Sequence, residues 1–199
     1  RLVKISLSFW FGIVLVGCSN NASENNRKKD LIKVSALNTE LGFRYMQERE
    51  YDLANKKIEK ALEANPRNPE AHNAMGLLKN VLGIPEAAES SFAKAAELSK
   101  NGPAISNNYG QFLCQRGRHQ EGIKYLSIAA KNPLNTDRSV PHLNLGKCYK
   151  EFGDYGKAEV HLIKSLDFSP KNGNVLIELA NIMLIQERLE ATTRYFTKF

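Results

Sequence analysis

The chain has 199 residues, of which 42% are apolar and 25% are charged, and its formal net charge is +7. These proportions are ordinary for a folded globular protein and exclude a chain too polar to build a core. The positive charge does not by itself predict a nucleic-acid partner, because the sequence has no basic run with interleaved aromatic residues that could stack on bases.

A secretory signal is indicated at the start of the chain. Arg1 and Lys4 precede an apolar run over residues 5–16, and a run of about 12 residues is too short to cross a bilayer as a helix. Basic residues, a short apolar stretch and a small residue before a cleavage point are typical of exported proteins. The run ends in Leu-Val-Gly-Cys, which resembles the bacterial lipobox. The resemblance implies cleavage before Cys18 and attachment of lipid to it; the alternatives are a signal with a chance cysteine and a buried N-terminal helix.

The residue after this cysteine indicates the destination. Ser19 stands there, and lipoproteins of double-membrane bacteria that lack Asp at this place generally go to the outer membrane. We therefore expect the periplasmic face of the outer membrane, with the chain held there by its lipid anchor. Residues 19–29 are rich in Asn, Ser and charge without apolar periodicity, which predicts a flexible tether. The basic cluster at 27–29 is interpreted as solvated rather than lipid-binding.

From residue 35 onward, a small residue recurs at nearly constant spacing. Intervals of 34, 34, 36 and 34 separate Gly42, Gly76, Gly110, Gly146 and Ala180. Small and large apolar residues follow at matching offsets, which in the first repeat are Tyr45, Ala54, Ile58, Ala61 and Pro66. This pattern resembles the tetratricopeptide repeat (TPR), a helix-turn-helix unit of about 34 residues. The resemblance implies an all-α, right-handed superhelical solenoid, a fold that usually holds partners and rarely performs chemistry.

These features predict three regions. The lipoprotein signal peptide occupies residues 1–17, the acylated cysteine and polar linker occupy 18–34, and the TPR array occupies 35–199. Repeats are expected to begin near residues 35, 69, 103, 139 and 173. The sequence stops within the second helix of the fifth repeat, so we expect that repeat to be truncated.

The cysteines leave one question open. Three are present, and acylation of Cys18 leaves Cys114 and Cys148 on the first helices of consecutive repeats. An oxidising compartment favours a disulfide between them. Two independent buried thiols are the alternative, because sequence cannot establish the Cα separation that a bridge needs.

No catalytic or metal-binding pattern stands out. The four histidines lie on separate turns or in separate repeats, without the paired spacing of a zinc site. His72 and His142 each precede a repeat glycine by four residues, where packing is the expected role. We therefore expect no enzyme activity, no cofactor, no metal and no small-molecule substrate.

The inner face of the first helices of a TPR superhelix offers a groove for a peptide. Mapping this face onto the sequence gives a candidate set of partner-binding residues: Phe43, Met46, Asn73, Leu77, Asn107, Asn108, Gln111, Asn144 and Lys147. Asparagine both donates and accepts hydrogen bonds, so a row of them can hold a peptide backbone. Solvated surface is the competing interpretation. Changing Asn108 and Asn144 to Ala is expected to weaken binding without unfolding the chain.

One stretch supports a narrower resemblance. Residues 107–117, Asn-Asn-Tyr-Gly-Gln-Phe-Leu-Cys-Gln-Arg-Gly, are similar to the third-repeat signature of the type IV pilus biogenesis and stability lipoproteins, the PilF/PilW-like pilotins. Asn132-Pro133-Leu134, the long third-to-fourth connection and the order of lipobox, tether and array also resemble that family. The resemblance implies a non-enzymatic factor that helps the pilus secretin reach or assemble in the outer membrane. It also implies a bridge between cysteines at these two positions.

A second function fits the same layout. An outer-membrane TPR lipoprotein can instead scaffold cell-wall enzymes or the assembly of outer-membrane proteins. The two functions differ in the partner that the chain captures, either a secretin or another envelope protein. A cytosolic RNA-binding repeat protein is a distant third.

Overall fold

All of the regular structure that can be described is helical. A computed structural model describes residues 17–188 and residue 193. Over residues 17–188 it contains nine helices and no strand: α1 (Gly17–Gln47), α2 (Tyr51–Ala64), α3 (Pro69–Val81), α4 (Pro85–Leu98), α5 (Pro103–Gln115), α6 (His119–Lys131), α7 (Ser139–Glu151), α8 (Tyr155–Phe168) and α9 (Gly173–Ile185). The all-α prediction is confirmed. Residues 1–16 of the predicted signal, and most of the second helix predicted for the fifth repeat, lie outside the described residues.

The helices pair as the repeat spacing predicts. Helices α1 to α8 form four consecutive helix-turn-helix units, and α9 is the first helix of a fifth. The odd-numbered helices after α1 begin at Pro69, Pro103, Ser139 and Gly173. Each odd-numbered helix contacts the next odd-numbered helix, whereas over residues 17–188 no even-numbered helix contacts the next even-numbered one. The array therefore curves with its odd-numbered helices on the inner side.

Short-range chemistry fixes where the helices start and turn. Proline occupies the first position of α3, α4 and α5, where its missing N–H costs no helical hydrogen bond. Gly117 and Gly153 end the turns before α6 and α8 with φ of 77° and 87°, a region that favours glycine. Asp154 then caps α8 by accepting a hydrogen bond from the backbone N–H of Lys157. These turns set the angle at which each second helix returns.

Among the four repeats that the structure describes in full, the backbones of paired helices come closest between α5 and α6. A Cβ atom on Gly110 would lie 2.8 Å from the backbone oxygen of Gly122, and one on Gly122 would overlap Sγ of Cys114. The other three repeats have alanine where the third repeat has Gly122, namely Ala54, Ala88 and Ala158. The cysteine sulfur occupies the space that the alanine methyl group would need. Glycine at 122 is therefore the residue that this pair of helices requires.

The predicted flexible tether differs from the structure. Helix α1 runs from Gly17 to Gln47 without a break, and residues 23–34 are helical and exposed. No Pro or Gly interrupts residues 18–41. The packed part of α1 from Ser35 onward supplies a nucleus, and extending a helix from a nucleus costs far less than starting one. Polar composition therefore predicted exposure correctly but predicted the wrong backbone conformation for the described linker residues.

Replacing Gly122 with alanine tests the close approach of α5 and α6. We expect Gly122→Ala to lower the free energy of unfolding by about 1–3 kcal/mol, because an added methyl group overpacks the contact. Urea unfolding under non-reducing conditions measures the change. Gly156→Ala in α8 is the matched control, because its Cβ would meet only the Asp154 side chain at 3.8 Å. The control should keep or raise stability by up to about 1 kcal/mol, and equal effects at both positions would contradict the packing explanation.

Candidate partner-binding surface

The sequence-predicted binding residues all lie on the odd-numbered helices that form the inner side. They divide by burial into two groups. Half-buried are Phe43, Met46, Leu77, Asn108, Gln111 and Lys147. Buried are Asn73, Asn107 and Asn144, with 3%, 9% and 8% of their surface exposed. The two groups therefore differ in what they can offer a partner.

The asparagines form a chain of side-chain hydrogen bonds across three repeats. Asn144 on α7 donates from Nδ2 to Oδ1 of Asn107 on α5 at 2.9 Å. Asn107 donates to its neighbour Asn108 at 3.4 Å. Asn108 donates to Oδ1 of Asn73 on α3 at 3.1 Å. We call these four residues the amide ladder. It links the inner sides of the second, third and fourth repeats.

The ladder changes what these amides can do. Each carboxamide has two N–H donors and an oxygen with two acceptor sites. Within the ladder Asn144 donates, Asn73 accepts, and Asn107 and Asn108 each do both. Because three members are buried, their first role is to satisfy one another. Removing the Asn144 side chain would leave Oδ1 of Asn107 without this donor, so a change of Asn144 to Ala is expected to lower stability as well as binding. Only the half-buried Asn108 lies where a partner can reach it readily.

A second row of side chains on the inner side is more exposed than most of the amide ladder. Phe43, Leu77, Gln111 and Lys147 each follow a repeat glycine directly, and all four are half-buried. Their equivalent positions on successive helices place them along the inner side, next to the amide ladder. We call these four residues the outer row. Its chemistry changes along the array, from apolar in the first two repeats to polar and basic in the third and fourth.

An ion pair that was not predicted joins the fourth and fifth repeats on this side. Glu178 of α9 lies 2.6 Å from Nζ of Lys150 and 3.7 Å from Nζ of Lys147. The Glu178 side chain is 16% exposed, so one well-covered carboxylate serves two cations. Glu178 precedes Ala180 by two residues, as Asn108 and Asn144 precede their glycines. That equivalence was the signal in the sequence that could have located it.

The structure also contains a disulfide on the odd-numbered helices. Cys114 of α5 is bonded to Cys148 of α7, with a Cα–Cα distance of 5.5 Å. Both residues are buried, beside Leu126 and Leu145. The bridge and the Asn107–Asn144 hydrogen bond therefore join the same two helices. Cys18 lies in the second position of α1, and its side chain is outside the described set.

Two other kinds of functional feature are absent from the part of the chain that the structure describes. Residues 23–188 hold no group of three or more His, Cys, Asp or Glu side chains arranged to bind a metal ion. Among the helices that the structure describes, none combines the length and apolar character that a membrane crossing requires. The amide ladder and the outer row make the inner side the candidate functional surface.

Comparison with known proteins agrees with this architecture. The family model for the tetratricopeptide repeat matches residues 141–172, which contain α7 and α8. The type IV pilus assembly protein PilF of Pseudomonas aeruginosa is 26% identical over 99% of this chain and 79% of its own length. The crystal structure of PilW, a widely conserved type IV pilus biogenesis factor, is 32% identical, covers 83% of this chain and 76% of its own, and superposes with a TM-score of 0.79. The chain belongs to the PilF/PilW family.

A further structure extends the likeness within the PilF/PilW family. The crystal structure of Pseudomonas aeruginosa PilF has a TM-score of 0.79 at 24% identity, over 84% of this chain and 76% of that one. This similarity shows that the repeat array is shared. The family resemblance inferred from residues 107–117 is confirmed. The roles of individual inner-side residues stay predictions.

The amide ladder can be tested against the outer row. Asn107→Ala removes two ladder bonds and leaves the Asn144 donor and the Asn108 acceptor without these partners, so we expect a loss of about 1–3 kcal/mol in the free energy of unfolding. Gln111→Ala, one turn further along α5, should change it by less than about 0.5 kcal/mol. Chemical denaturation measures both. If the two variants were equally stable, the ladder would have no structural role.

Proposed function

We propose that this chain is a non-enzymatic outer-membrane lipoprotein of type IV pilus biogenesis, and that it assists the localisation or multimerisation of the secretin by binding it. The observation that carries the proposal is the 32% identity to a type IV pilus biogenesis factor over most of both chains. The relative from Pseudomonas aeruginosa, named for type IV pilus assembly, supports the same process. A TPR array is suited to this role because stacked helix pairs present a long, continuous surface to another polypeptide.

The inner side has the properties of a protein-binding surface. The amide ladder and the disulfide hold α3, α5 and α7 at fixed spacing, so the outer row is preorganised and loses little entropy when a partner binds. Leu77 offers apolar contact, and Gln111 offers a donor and an acceptor. Lys147 and Lys150 share one carboxylate, that of Glu178, so this group of three side chains keeps a net positive charge. This sequence of properties fits a segment of polypeptide better than a small compact ligand.

The proposed lipid anchor would place this surface at a set distance from the membrane. The inference of lipid attachment at Cys18 is based on the lipobox, and the inference of an outer-membrane location is based on Ser19. Between Cys18 and Ser35 the chain is helical, and 17 residues at the helical rise span about 25 Å. The linker then acts as an arm rather than a loose tether. The arm would hold the array close to the membrane in which a secretin assembles.

Capture from a solubilised envelope tests the partner and the surface together. We expect the wild-type chain to capture the pilus secretin, and a Gln111→Ala/Lys147→Ala double variant to capture at least about tenfold less, because loss of about 1.4 kcal/mol of binding energy has that effect. Lys124→Ala is the control, since Lys124 is exposed on α6, an outer-side helix. An immunoblot of secretin multimers with and without the gene completes the experiment. Capture of cell-wall enzymes with intact secretin multimers would favour the scaffolding function instead.

The anchor has its own test. Labelled palmitate should be incorporated into the wild-type chain and not into Cys18→Ser, because the thioether that carries the lipid requires the cysteine sulfur. Membrane fractionation should then show that the variant is lost from the outer membrane. Equal labelling of both chains, or no labelling of either, would contradict lipid attachment at Cys18 without affecting the assignment of the inner side.

A further inference from the structure

Two histidines that the sequence places far apart meet in the fourth repeat. Nδ1 of His142 on α7 and Nδ1 of His161 on α8 are 3.0 Å apart. They belong to a column of stacked rings that runs from Phe168 through His142 and His161 to Tyr149, with centroid distances of 5.9, 5.2 and 5.4 Å. Nζ of Lys157 lies 5.5 Å from the centre of the Tyr149 ring. The column joins the two helices of this repeat along one side.

The Nδ1–Nδ1 contact permits only certain protonation states. One imidazole must donate its N–H and the other must accept with a lone pair, so at least one ring has to lack a proton at Nδ1. When both rings are protonated, two donors and two positive charges face each other at 3.0 Å. The contact then becomes repulsive. Even the first proton places a cation in a half-buried position.

The surrounding charges make protonation harder still. Burial lowers the pKa of His142, and the positive charges of Lys164 and Arg138 lower it further against a smaller opposing effect of Asp167. Burial also lowers the pKa of His161 to about 4, with further contributions from His142 and Lys164. These groups lie on α8 and immediately before α7, the two segments that meet at the pair. Lys157 approaches the column from the Tyr149 end and adds positive charge.

The two helices are attached to the rest of the array in different ways. Helix α7 is held to α5 by the covalent Cys114–Cys148 bridge. Helix α8 is held to α7 by noncovalent contacts, which include the packing of Leu162 on Gly146, the hydrogen bonds between Ser165 and Ser139, and the ring column. Weakening the column therefore acts on the attachment of α8 and leaves α7 in place.

We propose that the His142–His161 contact is an acid-sensitive clasp that holds α8 to α7, so that the fourth repeat loosens at mildly acidic pH while the disulfide keeps α7 attached to α5. When the clasp opens, the imidazoles regain the ordinary histidine pKa of 6.5. The open state therefore binds protons more readily than the closed state. The stabilisation is complete above about pH 6.5 and is lost as the pH falls toward 4.

Hydrogen exchange on the full chain tests the clasp. When the pH is lowered from 7.5 to 5.0, we expect the equilibrium constant for opening of residues Tyr155–Phe168 to increase by about tenfold, after correction for the intrinsic pH dependence of exchange. An effect of that order is expected when a partly exposed imidazole binds a proton more readily in the open state than in the closed state. In His161→Phe the ring stack is kept and, of the two histidines, only His142 can still titrate, so the increase should fall to about threefold or less. Exchange in α5, which the bridge holds to α7, should change little in either chain.

The second repeat provides a matched control. His72 occupies the same repeat position as His142, and its Nε2 lies 2.9 Å from the backbone oxygen of Pro66 rather than beside another imidazole. His72→Phe should keep the wild-type increase in α8. The proposal is overturned if His161→Phe shows the same increase as wild type, or if acid raises exchange evenly along the array. A titration of the wild-type histidines by NMR needs no variant, and it overturns the clasp if His161 titrates near pH 6.5.

Discussion

Close approach of the two helices in each repeat is the constraint on which the array depends. A Cβ on Gly42, Gly76 or Gly146 would lie 2.6, 2.7 or 2.5 Å from Ile58, Phe92 or Leu162 respectively. Large side chains of the second helices thus occupy the space that a side chain on the first helix would need. Because the backbones come so close, the two helices of each fully described repeat pack as one unit, and such units can stack on their neighbours.

Stacking on the inner side depends on polar and covalent contacts as well as on apolar packing. The amide ladder and the Cys114–Cys148 bridge connect α3, α5 and α7 in series. Buried amide groups destabilise the folded chain unless they are hydrogen-bonded, so the ladder favours the one relative position of these helices in which its hydrogen bonds form. A surface held in this way presents its outer row at fixed intervals. Protein binding by the family is consistent with such a preorganised face.

The array is not uniform along its length. The third repeat is the most tightly held, since Gly110 and Gly122 allow backbone contact and Cys114 adds a covalent link to α7. In the fourth repeat, the rings of His142 and His161 contribute to the contact between α7 and α8. In the second repeat, His72 at the position equivalent to His142 contacts a backbone carbonyl and not another imidazole. Neighbouring repeats of one array can therefore differ in how strongly their two helices are held together and in the conditions that separate these helices.

The sequence by itself determined the helical class, the pairing of helices and the family, because the spacing of small residues at Gly42, Gly76, Gly110 and Gly146 is a local property that can be read along the chain. It also placed the candidate binding residues on the first helices of the repeats, which are the odd-numbered helices of the structure. Only the tertiary structure decided that the buried asparagines bond to one another, that Glu178 joins Lys150, and that His142 meets His161. The linker likewise became helical because it continues a packed helix rather than because of its composition. The asparagine bonds, the ion pair and the histidine contact depend on distances between residues that are remote in sequence, which repeat spacing does not specify.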